Sequence, residues 1–290
     1  MHRQVTKLID RQASWATPLA DWAQPLLETL FHEGGRRPYK DLLNGTWLGH
    51  PLHPVLTDVP TGAMTLAVLF DATGRDGAAD IAVATGVAGM VASAATGAAD
   101  AVDAYDRPRT LATVHATLMI ASATAYSASL LLRLGPGVGR PLARMLGYAG
   151  YGAMAAGAYV AGELVYKAGN QVDRHAWEPT SSKWRSLDVT EVPAGTLVKG
   201  KAGNDSVLLY RELDGDPVSA FSSVCAHAGG PLDKGKIIDG CVECPWHQSR
   251  YDLRTGHVRQ GPAVFDQPRY EVRETSEGGL EARRMPPSAV

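Results

Sequence analysis

The 290 residues contain only three cysteines, and none occurs before Cys225. That scarcity excludes a disulfide-stapled scaffold. The confinement of Cys225, Cys241 and Cys244 to a stretch of twenty residues points instead to metal or redox chemistry. Surplus charge is also lacking. At a net charge of −2 the chain has no general affinity for polyanions, which rests on clustered Lys and Arg neutralising phosphates, so no nucleic-acid partner is expected. The first forty residues hold no apolar run of signal-peptide length, and Arg36-Arg37 leads into Pro-Tyr-Lys-Asp, not into an export-type apolar segment.

The most informative shortage is local. From Asp41 to Gly162 only 14 of 122 residues are charged, about 11%, whereas the other 168 hold 44, about 26%. The chain is two compositions joined end to end, each long enough for a domain. Within the charge-poor half, four segments stand out: Pro51 to Phe70, interrupted only by Asp58, then Ile81 to Ala99, Thr110 to Leu132 and Met145 to Gly162. Their 18 to 23 residues suit a hydrocarbon core of roughly 30 Å at about 1.5 Å per residue. Charge returns in the short connections, Asp71 to Asp80, Asp100 to Arg109 and Arg133 to Arg144.

An up-and-down four-helix transmembrane bundle over residues 45–168 is therefore expected. The alternative is a soluble Ala-rich bundle, but a soluble helix shows a polar face, and Thr110 to Leu132 offers no charged position. Gly86, Gly89, Gly97, Gly147, Gly150 and Gly157 let helix backbones approach closely. The second and fourth segments, rich in small residues, read as bundle interior, and the first and third as more lipid-facing. Residues 1–44 read as a cytoplasmic segment in which Trp15, Leu19, Trp22, Leu26, Leu30 and Phe31 recur at helical spacing, an amphipathic surface helix whose regularity Pro18 and Pro25 interrupt. Twelve Lys and Arg near the spans fall on the side of both termini and four on the other. The positive-inside rule then gives a multi-pass inner-membrane protein with both termini cytoplasmic.

Ionisable groups inside such a region are costly unless paired or functional. His50 and His53 stand at the mouth of the first segment, Asp58 lies beyond them, and His115 sits within the third, at a depth expected to match His53. Three readings follow: helix-end caps or hydrogen bonds to Asp58 and Asp100, a haem (haem b) held between His53 and His115, or a quinone or proton-relay site. Gly49-His50-Pro51-Leu52-His53-Pro54, with Asp58, Pro60, Asp71 and His115, resembles a widespread family of four-helix bacterial membrane domains of unknown function over residues 45–168. The resemblance implies topology and no particular activity.

After a stretch without periodicity, residues 169–184, which reads as a linker containing Pro179 and Ser181-Ser182, the pattern becomes short β-runs. Thr196 to Lys199, Ser206 to Tyr210 and Pro217 to Phe221, with Gly/Asp/Asn turns between them, predict a small antiparallel domain over 185–290. The expected fold is thus multidomain, α then all-β. Its chemistry lies in Cys225-Ala-His227 and, after sixteen residues, Cys244-Pro-Trp-His247. The two tetrahedral irons of a [2Fe–2S] cluster leave four positions for protein, and two thiolates with two imidazoles supply that number. A zinc site built from Cys241-Val-Glu-Cys244 and His247 is the rival. It explains Cys241 but not the Cys-x-His pair.

Gly229-Gly230-Pro231-Leu232 after the first pair, then Tyr251-Asp252-Leu253-x-Thr255-Gly256 and Gly261-Pro262-Ala263 after the second, make the chain resemble the Rieske iron–sulfur family over about residues 185–275. The resemblance implies that Cys225 and Cys244 bind one iron and His227 and His247 the other, with Cys241 a packing residue. It also implies that the hydroxyls of Ser249 and Tyr251 hydrogen-bond to a bridging sulfide and a ligand sulfur, which favours the reduced cluster. The expected potential lies between the ferredoxin-like and quinol-oxidising classes. Two departures from the family stand out. Gly230 and Trp246 occupy positions that quinol-oxidising members link by a disulfide, which suits a reducing cytoplasm, and Gln248 replaces a usual Gly.

The function this predicts is membrane-anchored one-electron transfer. The partner is a reductase, an oxygenase or a respiratory component, or a haem or quinone in the membrane half. Ferredoxin-like delivery to a soluble oxygenase with the bundle only an anchor, and a non-catalytic redox sensor, are the alternatives. A terminal oxygenase needs a further domain carrying a mononuclear iron site, and about fifteen residues follow the Rieske region.

Overall fold

The computed structural model describes residues 2–32, 35–135, 139–178 and 183–286. They form two compact units, Met1–Leu43 with Pro51–Asn170, and Asn44–His50 with Gln171–Val290.

The first unit is helical: α1 (His2–Arg11), α2 (Ala13–Phe31), α3 (Arg37–Asn44), α4 (Leu52–Ala72), α5 (Asp76–Ala101), α6 (Asp106–Leu134) and α7 (Arg140–Gly162). Apart from Pro51, which caps α4, each expected span lies inside one of the last four. Among the described residues three helices, α4, α5 and α6, are long and apolar enough to cross a membrane. The fourth segment forms α7, which is long enough but opens on Arg140 and Arg144 and continues largely in Gly and Ala. The charged stretch from Asp71 to Asp80 is not the loop it was expected to be. Only Thr73 to Arg75 leave the helices, and Asp71, Asp76 and Asp80 are helical.

Apolar clusters such as Met64, Val83, Met90 and Met154 fill the interior of this unit, but its outside is apolar as well. Leu66, Leu69, Ile81, Val91, Ile120 and Leu131 are exposed on its outside, while Ser93, Thr96, Ser122 and Ser129 are buried within. Inward polar groups are satisfied locally: Ser122 Oγ donates to Gly150 O at 2.8 Å and Ser129 Oγ to Ala143 O at 2.6 Å. Outward apolar residues and an interior of small and hydroxyl side chains are what helix packing in lipid favours. As expected α5 is more interior, with 39% of its apolar window buried against 22% for α4 and α6.

Charge is pooled at one end of the bundle. Arg133, 1% exposed at its side chain, donates to Asp71 and, at 3.0 Å, to Asp80; Arg140 donates to Asp80 and Arg144 to Asp76, each at 2.5 Å. Three carboxylates thus balance three guanidiniums. Near the other end of α5, buried Lys40 of α3 donates to Asp103. The amphipathic segment forms α2 as one continuous helix through Pro18 and Pro25. The prolines are seven residues apart, on one exposed face, so their lost hydrogen bonds do not break the buried side. Ala16, Ala20 and Phe31 face inward, and Trp22, Leu26 and Leu30 point outward. Thr17 meets Thr110 of α6 at 3.1 Å.

The second unit is β-rich. One antiparallel sheet has the order β1 (Arg185–Ser186), β10 (Leu280–Arg284), β9 (Arg269–Glu274), β4 (Ser219–Ser222), β3 (Asp205–Tyr210), β2 (Val198–Ala202); the other runs β5 (Lys236–Ile238), β6 (Cys241–Glu243), β7 (Arg250–Asp252), β8 (Val258–Gln260). Strand alternation in β3 sends Val207 and Leu209 into one apolar cluster with Ala220 and Ala282, and Leu208 into another with Phe221, Val242 and Leu253. Cys225, Cys244 and Tyr251 belong to the second cluster. The β5–β6 hairpin turns at Asp239-Gly240, both with positive φ (50° and 73°), the two-residue turn whose twist matches that of the strands.

Gln171 to Glu178 belong to this unit, where His175 is buried; Pro179 and Ser181-Ser182 lie outside the described residues. Asn44–His50 also belongs here, with Thr46 Oγ1 donating to Ala263 O at 3.3 Å.

Candidate metal centre

Two loops carry the Cys-His pairs, one after β4 and one between β6 and β7. Their backbones close identically. Cys225 N–H donates to Gly230 O (2.9 Å) and Cys225 O accepts from Gly229 N–H (2.8 Å); Cys244 N–H donates to Ser249 O (2.8 Å) and Cys244 O accepts from Gln248 N–H (3.0 Å). The loops are two copies of one turn, and the same place in each takes left-handed backbone, Gly229 at φ 83° and Gln248 at φ 62°. Gln248 thus keeps the geometry of the glycine it replaces, at a cost of about 1 kcal/mol.

This turn brings the four residues together. The Cys225 and Cys244 sulfurs, buried in apolar surroundings, share a hydrogen bond. That bond and burial push the Cys225 thiol well above its ordinary range, and the same bond holds Cys244 down to about 7. Two neighbouring thiols in one apolar cluster stand where a single metal ion can bind both as thiolates. The imidazoles of His227 and His247 pack edge to face, centroids 5.0 Å apart at 87°, and are half-buried beside exposed Trp246.

Among the described residues no group of three or more His, Cys, Asp or Glu converges on one ion. Two thiols and two imidazoles as separate pairs fit a two-iron cluster and not a mononuclear zinc site. The zinc rival fails on strand geometry as well. Val242 and Cys244 enter the apolar cluster that holds Cys225, and the alternation of β6 turns Cys241 to the opposite face, beside Asp252, Arg259 and Arg250. Close packing adds a further fit. A Cβ on Gly230 would lie 2.7 Å from Cys244 Sγ and 3.2 Å from the Trp246 ring, so the bare glycine leaves room for the sulfur. At the positions of the missing disulfide, glycine and indole pack directly across the two loops.

Tyr251 Oη, fully buried, is 3.2 Å from Cys225 Sγ. Ser249 Oγ accepts from Ala263 N–H at 3.0 Å, which leaves its own proton free to donate. Two residues without a sequence signal complete the arrangement. His175 Nε2 lies 2.8 Å from Val224 O and its Nδ1 2.9 Å from Glu178. The Gln267 amide, turned so that donors meet acceptors, donates to Val224 O (2.9 Å) and accepts from Ala226 N–H (2.8 Å). Together they grip the backbone on both sides of Cys225.

His53 and His115 lie in the helical unit, on α4 and α6. Each reaches a neighbouring helix: His53 Nδ1 is 3.0 Å from both Ser93 O and Thr96 Oγ1, and His115 Nδ1 is 2.9 Å from Gly157 O.

With this geometry in view, comparison with known proteins is specific. The profile of the Rieske [2Fe–2S] domain matches residues 183–271. The ferredoxin subunit of anthranilate 1,2-dioxygenase from Burkholderia cepacia is 32% identical over 97 residues, 33% of this chain and 88% of the relative. The Rieske iron–sulfur subunit of the cytochrome bc1 complex of Streptomyces lividans is 33% identical over 95 residues, 32% of this chain and 56% of that one. Among solved structures, the ferredoxin of carbazole 1,9a-dioxygenase from Nocardioides aromaticivorans IC177 is 31% identical, covering 37% of this chain and 99% of its own, at a TM-score of 0.29. The chain belongs to the Rieske family. Its C-terminal part is a Rieske [2Fe–2S] electron-transfer domain related to oxygenase ferredoxins and bc1 Rieske subunits.

Proposed function

We propose that the chain is a membrane-anchored one-electron carrier. Cys225 and Cys244 hold one iron of the cluster and His227 and His247 the other, and the Ser249 and Tyr251 hydroxyls donate hydrogen bonds to its sulfurs. When bound, the cluster supplies a reversible one-electron couple, raised by two neutral imidazoles in place of two thiolates. The protein's part is to hold ligands and exclude water: the sulfur side is closed by Leu208, Phe221 and Leu253, while the half-buried imidazoles face outward as the side a partner meets.

The helical half anchors this domain by four spans, α7 completing the three apolar helices, with α2 lying along the membrane surface. The Lys and Arg asymmetry supports a cytoplasmic side of the inner membrane for both termini and the cluster. Electrons pass to or from a reductase, an oxygenase or a respiratory component, or a redox group in the bundle. The observation that carries the reading is the pair of identical ligand turns in a chain whose other half turns its apolar side chains outward. Reporter fusions at each terminus test it together with alkaline extraction of membranes. Retention in the pellet with both reporters cytoplasmic is expected, and a freely soluble protein would overturn the anchor.

A further inference from the structure

The helical unit contains two imidazoles that the cluster chemistry does not use, and their surroundings are alike. His53 is in the first turn of α4, and His115 is well inside α6. Helix α4 packs on α5 and α7, and α6 packs on α7 and α5, so α4 and α6 are diagonal in the four-helix arrangement. Each histidine reaches the helix that follows its own. His53 Nδ1 lies 3.0 Å from Ser93 O of α5, and His115 Nδ1 lies 2.9 Å from Gly157 O of α7.

A carbonyl oxygen can only accept, so each Nδ1 carries the proton and each Nε2 presents a bare lone pair. Thr96 Oγ1, also 3.0 Å from His53 Nδ1, donates its own proton at 3.0 Å to Ser93 O and is free to accept. A donated Nδ1–H on a backbone carbonyl is the device that orients metal-binding imidazoles and raises their basicity. The neighbouring helices make room for it. A Cβ on Gly97 would stand 2.9 Å from the His53 ring, and one on Gly157 would stand 2.9 Å from Met119, one turn from His115. The two imidazoles also lie within electrostatic range of each other.

The number of donors selects the ligand. A zinc ion needs three or four protein ligands, and among the described residues no third His, Cys, Asp or Glu joins the pair. A quinone needs hydrogen-bond donors at its carbonyls, and both Nε2 atoms are acceptors. An iron porphyrin brings four equatorial nitrogens and asks the protein for two axial ones. We propose that His53 and His115 are the axial ligands of a haem held within the helical bundle, giving the chain a second one-electron centre. The proposal rests on the reading of the helical half as a membrane-embedded part of an electron carrier and names the redox group in that half.

The test uses the full chain, made in cells supplied with a haem precursor and purified in detergent, with haem counted by pyridine haemochromogen and the cluster by EPR. One haem per chain with a low-spin absorption spectrum is expected. His53→Ala and His115→Ala should each lower haem content at least tenfold while the Rieske signal stays. His53→Met and His115→Met, which retain a ligand in a similar volume, should keep haem with a shifted spectrum and potential. A cluster-replete, membrane-extracted protein without haem would overturn the proposal and leave the electron-carrier reading standing. Zinc in place of haem, or haem unchanged in both Ala variants, would also overturn it.

Discussion

The hydroxyl of Tyr251 lies 3.2 Å from the sulfur of Cys225, and both groups are buried in one apolar cluster. Gln267 offers a second acceptor at the same 3.2 Å, but a metal-bound sulfur carries negative charge and the amide oxygen does not. The charged acceptor wins. Reduction adds negative charge to the cluster, so a hydrogen bond to its sulfur stabilises the reduced form more than the oxidised one.

Tyr251→Phe and Ser249→Ala should therefore each lower the midpoint potential. A difference of about 1–2 kcal/mol between redox states corresponds to roughly 40–90 mV for one electron. Protein-film voltammetry of each variant checks this, and unchanged potentials would remove the hydrogen bonds from the account.

Gly230 should tolerate no side chain. In Gly230→Ala the new Cβ would stand 2.7 Å from Cys244 Sγ, and the loop cannot retreat because Gly230 O is held by Cys225 N–H at 2.9 Å. Most of the cluster should be lost while the β-rich fold remains, read as iron and sulfide content beside circular dichroism.

The two residues of the C-x-x-C behave oppositely. Cys241→Ala should leave iron content and EPR spectrum unchanged and cost about 1 kcal/mol of stability, since it removes one small, largely buried side chain. Cys244→Ala should abolish the cluster. Equal loss of metal in both variants would return Cys241 to the ligand set.

Arg133 is the hub of the charge pool at one end of the bundle. Arg133→Met leaves Asp71 nearly buried, 3% exposed at its side chain, and should destabilise the helical unit by about 3–5 kcal/mol. Adding Asp71→Leu should recover much of that loss. Thermal unfolding in detergent measures both, and a single variant as stable as the parent would show that the pair contributes nothing.

Local patterns were legible from sequence wherever one residue type at one spacing dictates structure. Apart from Pro51, the four charge-poor segments fall within α4 to α7, and the two Cys-His pairs sit on two copies of one turn. What could not be read depends on tertiary partners. Asp71 and Asp80 looked like loop charges until Arg133 and Arg140 came across to meet them inside helices. Pro18 and Pro25 looked like breaks in α2 until both proved to lie on its open face. His175 sits in a stretch without periodicity, yet it fixes Val224 next to Cys225. No spacing announces such a contact, because it joins residues 49 apart in the chain.

One Rieske cluster per chain is expected in a membrane-embedded protein. EPR of reduced, carbonate-washed membranes containing the full chain, integrated against the amount of protein, tests it most directly. A rhombic Rieske signal of one spin per chain, absent in Cys244→Ala and His247→Ala, is the result predicted. A protein in those membranes without such a signal, or a signal found only in the soluble fraction, would contradict it.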